Sequence, residues 1–356
     1  MNIYIISSYN KTGGPRSLHQ LANKLINRGY NVFMVYGNHG HIESKLEILY
    51  SDCNAKVAEK VIDVDSNFLI MPESDTSWYF KYKNINKIIW WLSLDFFKEQ
   101  NLWNRAKKVS IMKEQSLYTT MFRYLKYEIT YILKGHSRKY VHDVHDLKQI
   151  YHLYNCEYVH QYLLSLGVKE DKTQYLCGPV DIEKYNKNED IKDYKLIAYN
   201  PAKVQHNYIK LLKKYMYSHY EGYRFVALEK MTHQKLQMTL NKAAVYLDLG
   251  FFPGPERIPR EAVMAYCNLI TSNLGSASNH IDVNIPTRFK VTPSPENIPQ
   301  ICKLINELCT HFSKYTNEYE NYRNSVIWQI KNFDNEIDEL CKYMNTEKYS
   351  GSREIG

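Results

Sequence analysis

Residues 246–278 read YLDLGFFPGPERIPREAVMAYCNLITSNLGSAS, and this stretch decides the fold. Val245 to Leu249 is a short apolar run of strand type. A loop punctuated by proline and glycine follows, and a helix is expected to open near Pro259. A second apolar run, Asn268 to Thr271, leads into the small-residue loop SNLGSAS. Strand, loop, helix, strand and loop at this pitch make a βαβ unit of a parallel sheet, where ligands bind outside the carboxyl ends of the strands. The loop and first helical turn carry Glu256, Arg257, Arg260 and Glu261, more charge than a connector needs. A helix N-terminus favours an anion, and paired arginines can grip phosphate in a fork. Glu261, one turn into the helix, is placed to accept hydrogen bonds from sugar or ribose hydroxyls. The stretch reads as a site for a phosphorylated, hydroxyl-rich ligand.

Outward from this stretch the same rhythm recurs. At the start of the chain, strand Ile3–Ser7 leads through SYNKTGGPRS to a helix from Arg16 to about Arg28, with Leu18, Leu21, Ala22 and Leu25 on its apolar face. Gly29 closes that helix and YNVFMVYG is the next strand, so the first half is also expected to be a parallel sheet with crossover helices. Further strands are expected at Lys60–Val64, Asn67–Met71 and Lys87–Ser93. A helix-rich stretch follows from Trp103 to Tyr154, then an amphipathic helix at Cys156–Leu166, a short strand at Gln174–Leu176 and the turn CGPVDIEKYN. In the second half, strands are expected at Lys195–Tyr199 and Arg224–Leu228. Helices are expected at about Asn207–Met216, Lys235–Lys242, Pro299–Lys314 and Asn317–Tyr343, and a disordered tail at SGSREIG.

A chain of 356 residues exceeds one ordinary core and implies two domains. No window approaches the length of a membrane-spanning helix, and MNIYIISS enters a strand without the features of a signal peptide. Seven scattered cysteines without paired metal-ligand spacing fit the reduced core of a cytoplasmic protein. The net charge of +8 suits anionic partners.

Other constellations bear on chemistry. Gly13 and Gly14, in TGGPRS, let the backbone approach a ligand at a helix N-terminus; the alternative is a tight turn with Pro15 in the first helical turn. The motif is neither the dinucleotide fingerprint nor a P-loop. Lys203, in YNPAK, could reach a diphosphate as a point charge from the same sheet edge as Arg257 and Arg260. Ser93 and Asp95 end the apolar strand KIIWWLSLDFF. Asp95 is a candidate hydroxyl-binding group or general base, or else a helix cap, and Glu73 in MPES is the second acid of this kind. Neither DVD (Asp63–Asp65) nor HDVHD (His142–Asp146) has the company a metal site needs, and no metal is expected. Between Trp103 and Tyr140, nine Lys and Arg face two acids, interleaved with aromatics. That composition suits an anionic membrane surface or an acidic acceptor, or else a helix with lysines outside and aromatics in the core. No nucleic-acid module surrounds it.

Two α/β halves, each with a ligand loop after its first strand, resemble the GT-B glycosyltransferases, in particular the family 4-like group. TGGPRSLHQLANKLINRGYNV is similar to the family's glycine-rich opening and first helix. CEYVHQYLLSLGV with CGPVDIEKYN resembles its segment before the interdomain link, and PREAVMAYCNLITSNLGSASN its glutamate-led helix and small-residue loop. FFPGPERIPREA is similar to a subset of surface-polysaccharide transferases of bacteria and some large viruses. The resemblance implies an α/β protein with two Rossmann-like domains and a ligand cleft between them: residues 1–178 for the acceptor, 179–324 for the donor, and a helix at 325–345 crossing back. It implies transfer of a sugar from a nucleotide-diphosphate sugar to a glycan or glycolipid hydroxyl, with retention and without a metal or other cofactor, at a cytoplasmic or membrane-peripheral location.

By this likeness Glu261 matches the second glutamate of an E-x7-E pattern, the ribose contact. The first falls at Pro253, so Gly254 or Glu256 must supply the donor-sugar contact. Lys203 corresponds to the basic diphosphate contact, with Asn200 in place of the arginine that often precedes it. Gly13 and Gly14 match the loop facing the donor phosphates. Lys203 and Arg257, with Asp95 as base if the reaction inverts, are the implied catalytic set, and Arg260 joins the two cations in neutralising the leaving diphosphate. A non-catalytic nucleotide-sugar-binding partner of an assembly complex is the alternative that Pro253 keeps open.

Overall fold

The computed structural model describes residues 1–10, 12–37, 51–134, 139–183, 185, 191–204 and 206–350. The expected disordered tail beyond Ser350, and the parts of CGPVDIEKYN at 184 and 186, lie outside the described residues.

The chain divides into two compact units, one of residues 1–110, 116–179 and 331–356, the other of 111–115 and 180–330. In chain order the N-terminal unit holds β1 (Asn2–Ser7), α1 (Gly13–Asn27), β2 (Asn31–Tyr36), β3 (Lys56–Val57), β4 (Phe68–Pro72), β5 (Asn86–Trp91) and α2 (Leu94–Glu99). After these come α3 (Leu102–Met112), which ends in the other unit, then α4 (Leu117–Leu133), α5 (Val144–Gln149), β6 (Tyr151–Tyr154), α6 (Glu157–Ser165) and β7 (Thr173–Tyr175). The strands form a parallel sheet in the order β3-β2-β1-β4-β5-β6-β7. Both faces are covered, so the strands read as unbroken apolar runs. Ile3 and Ile5 of β1 pack into one core layer while Tyr4 and Ile6 pack into the other; in β5, Ile88 and Trp90 oppose Ile89 and Trp91 in the same way.

The C-terminal unit runs β8 (Asp193–Tyr199), α7 (His206–His219), β9 (Arg224–Ala227), α8 (His233–Lys242), β10 (Ala243–Asp248), α9 (Arg257–Met264), β11 (Asn268–Ser272), β12 (Lys290–Val291), α10 (Ile298–Thr310), α11 (Phe312–Thr316) and the long α12 (Glu320–Ser350). Its parallel sheet has the order β12-β11-β10-β8-β9. From Lys331 onward α12 belongs to the N-terminal unit, where Phe333, Ile337, Leu340 and Met344 enter the core beneath β1, β4 and β5.

Three expectations need correction. Lys60–Val64 is not a strand: the Asp63 carboxylate accepts the backbone N–H groups of Lys83, Asn84 and Ile85, which ties the segment down as a loop. Tyr151–Tyr154 is a strand rather than the end of a helical stretch. Its centre is His152, whose Nδ1 accepts the Trp91 indole N–H at 2.9 Å. Burial holds that imidazole neutral, with its pKa lowered to about 4. The helix expected at Pro299–Lys314 is two helices, broken at His311. The seven cysteines are all buried and none forms a disulfide.

Candidate functional site

In each unit the chain winds outward from its first strand, then returns to that strand's other side. The crevice at such a reversal, outside the carboxyl ends of the strands, is where open α/β sheets take ligands. For the C-terminal unit the reversal lies between β8 and β10. Asn200 follows β8, and its N–H donates to the Leu247 carbonyl at 3.2 Å, its side chain lying 3.5 Å from Asp248 Oδ2. Lys203 comes next and meets the loop after β10: its ammonium pairs with Glu256 at 2.6 Å and sits 4.9 Å from the centre of the Phe252 ring. Burial pushes the Glu256 carboxyl up, and the Lys203 charge opposes that. The two segments can approach because residue 250 is glycine: a Cβ there would fall 2.0 Å from Lys203 Cβ.

Loop 249–256 is held by the loop after β11. Ser276 donates from its N–H to the Phe252 carbonyl and from its hydroxyl to that of Gly254, each at 2.8 Å. Ser272 Oγ donates to the Gly250 carbonyl. This frame positions α9, whose N-cap is Glu256 and whose first residue is Arg257. Arg257 lies 3.9 Å from Glu261 one turn on, and Glu261 also accepts the Tyr185 hydroxyl at 3.3 Å. Arg260 is buried and turned onto the protein: it donates to the carbonyls of Pro255 and Glu256 and to the Gln329 side chain, at 3.2–3.3 Å. The structure therefore brings Asn200, Lys203, Gly254, Glu256, Arg257, Arg260 and Glu261 to one sheet edge. Lys203 reaches the N-cap of α9 through Glu256, Arg257 opens that helix beside Glu261, Arg260 donates to the loop carbonyls, and Glu261 is buried. Sequence reasoning missed the carboxylate beneath them. Asp248, wholly buried at the end of β10, accepts the Tyr246 hydroxyl at 2.8 Å, and its Oδ1 has no hydrogen-bond partner among the described residues. An acid closing an otherwise apolar strand, VYLD, was the available signal.

In the N-terminal unit the reversal lies between β1 and β4. A cavity of about 730 Å³ opens there, lined by the ends of β1, β4 and β5, the start of α1 and the inner side of α4. Thr12, the N-cap of α1, and Gly14 line it, and the cap side chain makes no hydrogen bond to the first helical turn. Gly13 lies in the same turn, its carbonyl accepting Ser17 Oγ at 3.2 Å, and Pro15 is there too, as the turn reading expected. Glu73 is 1% exposed and lines the cavity. One of its oxygens accepts the Leu92 N–H at 2.7 Å, yet burial outweighs that bond and lifts its pKa to about 8. Burial also raises Asp75, although Ser77 and the Trp78 indole donate to it. Ser93 Oγ, on the same wall, is buried without a hydrogen-bond partner among the described residues. Asp95 is elsewhere: it is not among the cavity-lining residues, and it pairs with Lys108 at 2.9 Å in the first turn of α2, where Ser93 holds the N-cap. The cavity wall at the end of β5 is lined by Glu73 and Ser93, not by Asp95. Burial could not be read from MPES alone.

Among the described residues, no three His, Cys, Asp or Glu side chains come together as a metal set. Asp143 caps α5 through the His145 N–H, and His142 Nδ1 turns onto the Tyr140 carbonyl, so HDVHD serves local structure.

No protein-family model and no curated protein matches the sequence. Solved structures do match. A sucrose-phosphate synthase from Thermosynechococcus elongatus aligns with TM-score 0.63 at 12% identity, over 97% of this chain and 99% of that one. A glycosyltransferase from Rickettsia africae gives 0.59 at 11%, over 97% and 98%. HepE of Anabaena, solved with UDP-glucose, gives 0.57 at 10%, over 96% and 100%. At such identities the likeness is one of fold: these neighbours are GT-B glycosyltransferases, and this chain has the α/β GT-B fold of two Rossmann-like units.

Proposed function

We propose that this chain is a glycosyltransferase that moves a sugar from a nucleotide-diphosphate sugar to a hydroxyl of a glycan or glycolipid acceptor in surface-glycan assembly, with retention. The observation that carries the reading is Lys203 paired with Glu256, the N-cap of α9, with Arg257 as the first residue of that helix, at the strand reversal of the C-terminal unit. Cations there would take the charge that develops on a departing diphosphate, the task other transferases give to a metal ion. Each well-placed donor contributes roughly 2.7–4 kcal/mol to lowering such a barrier. Glu256 pairs with Lys203; a diphosphate would compete for that ammonium, and the raised Glu256 carboxyl is readier to give it up. The likeness to HepE, solved with UDP-glucose, favours a UDP-sugar as donor. Glu261, held by Tyr185 and Arg257, would reach the ribose, and the N-terminal cavity would take the acceptor hydroxyl against Glu73 and Ser93.

A thermal-shift series with UDP-, GDP-, dTDP- and CMP-sugars tests this. One nucleotide class should raise the melting temperature in proportion to RT ln(1 + [L]/Kd). Lys203→Ala and Arg257→Ala should each weaken that binding about 10- to 100-fold, the worth of a charged hydrogen bond. Unchanged affinity in both variants would overturn the assignment. Tight binding with neither transfer nor slow donor hydrolysis would leave a binding protein in place of an enzyme.

A further inference from the structure

Helix α4 is amphipathic in the reverse sense to a packed helix. Its inner face is polar and aromatic: Thr120 is buried, Arg123 Nε donates to Ser110 Oγ at 3.4 Å, Tyr124 meets Trp103 edge-on and Tyr127 sits 5.3 Å from the Arg105 guanidinium. The outer face carries Leu117, Tyr118, Phe122, Ile129, Ile132 and Leu133, between 56% and 82% exposed. At 3.6 residues per turn these six fall on one arc of roughly 160°, with the half-buried Glu128 at one margin of it. The core-facing aromatics that the composition allowed account for only half the helix; the larger apolar half is outside. A contiguous apolar stripe of this kind on a soluble domain marks an interaction surface.

The charges choose the occupant. Lys126 is exposed at the margin of the stripe, Lys113, Lys134 and Lys139 are exposed in the segments just before and after the helix in sequence, and bases outnumber acids nine to two from Trp103 to Tyr140. A second copy of this chain would bring like charge against like. An anionic bilayer offers acyl chains to the stripe and phosphate headgroups to the lysines. Among the described residues no helix is long and apolar enough to cross a membrane, so α4 would lie in the interface. We propose that the outer face of α4 docks this protein on an anionic lipid surface. The inner side of the same helix, at Tyr127, Thr130 and Tyr131, lines the N-terminal cavity. If the proposed transfer holds, the acceptor is therefore a membrane-anchored glycolipid whose headgroup enters beneath the helix; the docking itself does not depend on that reading.

Flotation of the full chain with vesicles tests it. The protein should float with phosphatidylcholine vesicles containing phosphatidylglycerol, float poorly with phosphatidylcholine alone, and be released by high salt. Phe122→Glu with Leu133→Glu should lower the partition at least about tenfold, from the apolar area lost. Lys113→Gln and Lys126→Gln should each lower it about fivefold. All four side chains are exposed, so the melting temperature and its shift with nucleotide sugar should not change, and failure of docking is thereby separable from failure of donor binding. The proposal is overturned if the wild type ignores anionic vesicles, if the double variant floats equally well, or if light scattering finds a dimer that the double variant dissociates, which would make a second copy the occupant.

Discussion

Glu73 carries a proton that an exposed glutamate would have lost. Its pKa of about 8 in the folded chain, against an ordinary 4.5, comes from burial that the Leu92 N–H only partly offsets. The folded state therefore binds a proton that the unfolded chain releases. The resulting stabilisation is complete below about pH 4.5 and is lost as pH rises through about 8. Across that window the swing is of order 4–5 kcal/mol. Glu73→Gln, which stays neutral, should flatten the melting temperature between pH 5 and pH 9; parallel profiles for variant and wild type would refute the buried-acid assignment. The same substitution reads the chemistry. Under retention the leaving phosphate takes the acceptor proton and Glu73 only holds the hydroxyl, so turnover should largely survive in Glu73→Gln. A loss of roughly 10²–10⁴-fold would make Glu73 a general base and the reaction inverting.

At the scale of elements, the proposed donor site is two loops locked by backbone carbonyls. The loop after β10 gives up its carbonyls at Gly250, Phe252 and Gly254 to the hydroxyls and N–H groups of Ser272 and Ser276. Gly275 makes the turn, with φ +65°, and a Cβ there would lie 2.0 Å from the Phe252 carbonyl oxygen. Gly275→Ala should therefore cost about 1–3 kcal/mol of stability from overpacking and backbone strain. It should also displace α9 and lower nucleotide affinity, although residue 275 bears no charge. Denaturant unfolding and the nucleotide-induced shift measure the two effects, and a variant matching wild type in both would show that the loops are not locked together.

Over the whole molecule, the end of the chain completes the unit that its beginning starts. Phe333, Ile337, Leu340 and Met344 are buried against Ile3, Ile5, Leu21 and Trp90. Ion pairs from Lys24 and Arg28 to Asp334 and Asp338 sit at the edge of this packing, partly exposed, and are worth little individually. The apolar contacts carry the attachment. Phe333→Ala should cost about 3–5 kcal/mol, and urea unfolding followed by tryptophan fluorescence should register it through Trp90. A cost below about 1 kcal/mol, the range of mild core substitutions, would mean the helix is not part of that core.

What the sequence by itself determined is what depends on local order. Apolar runs of strand length alternating with helical periodicity, glycine and proline at the connections and charges just after strands were enough to give parallel α/β units and to gather Lys203, Glu256, Arg257 and Glu261 at one edge, because in such sheets every strand ends on the same side. The tertiary structure decided what depends on burial and on partners distant in the chain. It turned the Arg260 guanidinium onto the carbonyls of Pro255 and Glu256 and drew Tyr151–Tyr154 into the sheet through Trp91. It also placed Glu73 rather than Asp95 in the cavity, and faced the apolar side of α4 outward. Periodicity states that a helix has two faces. Which face the protein covers depends on packing against segments far along the chain.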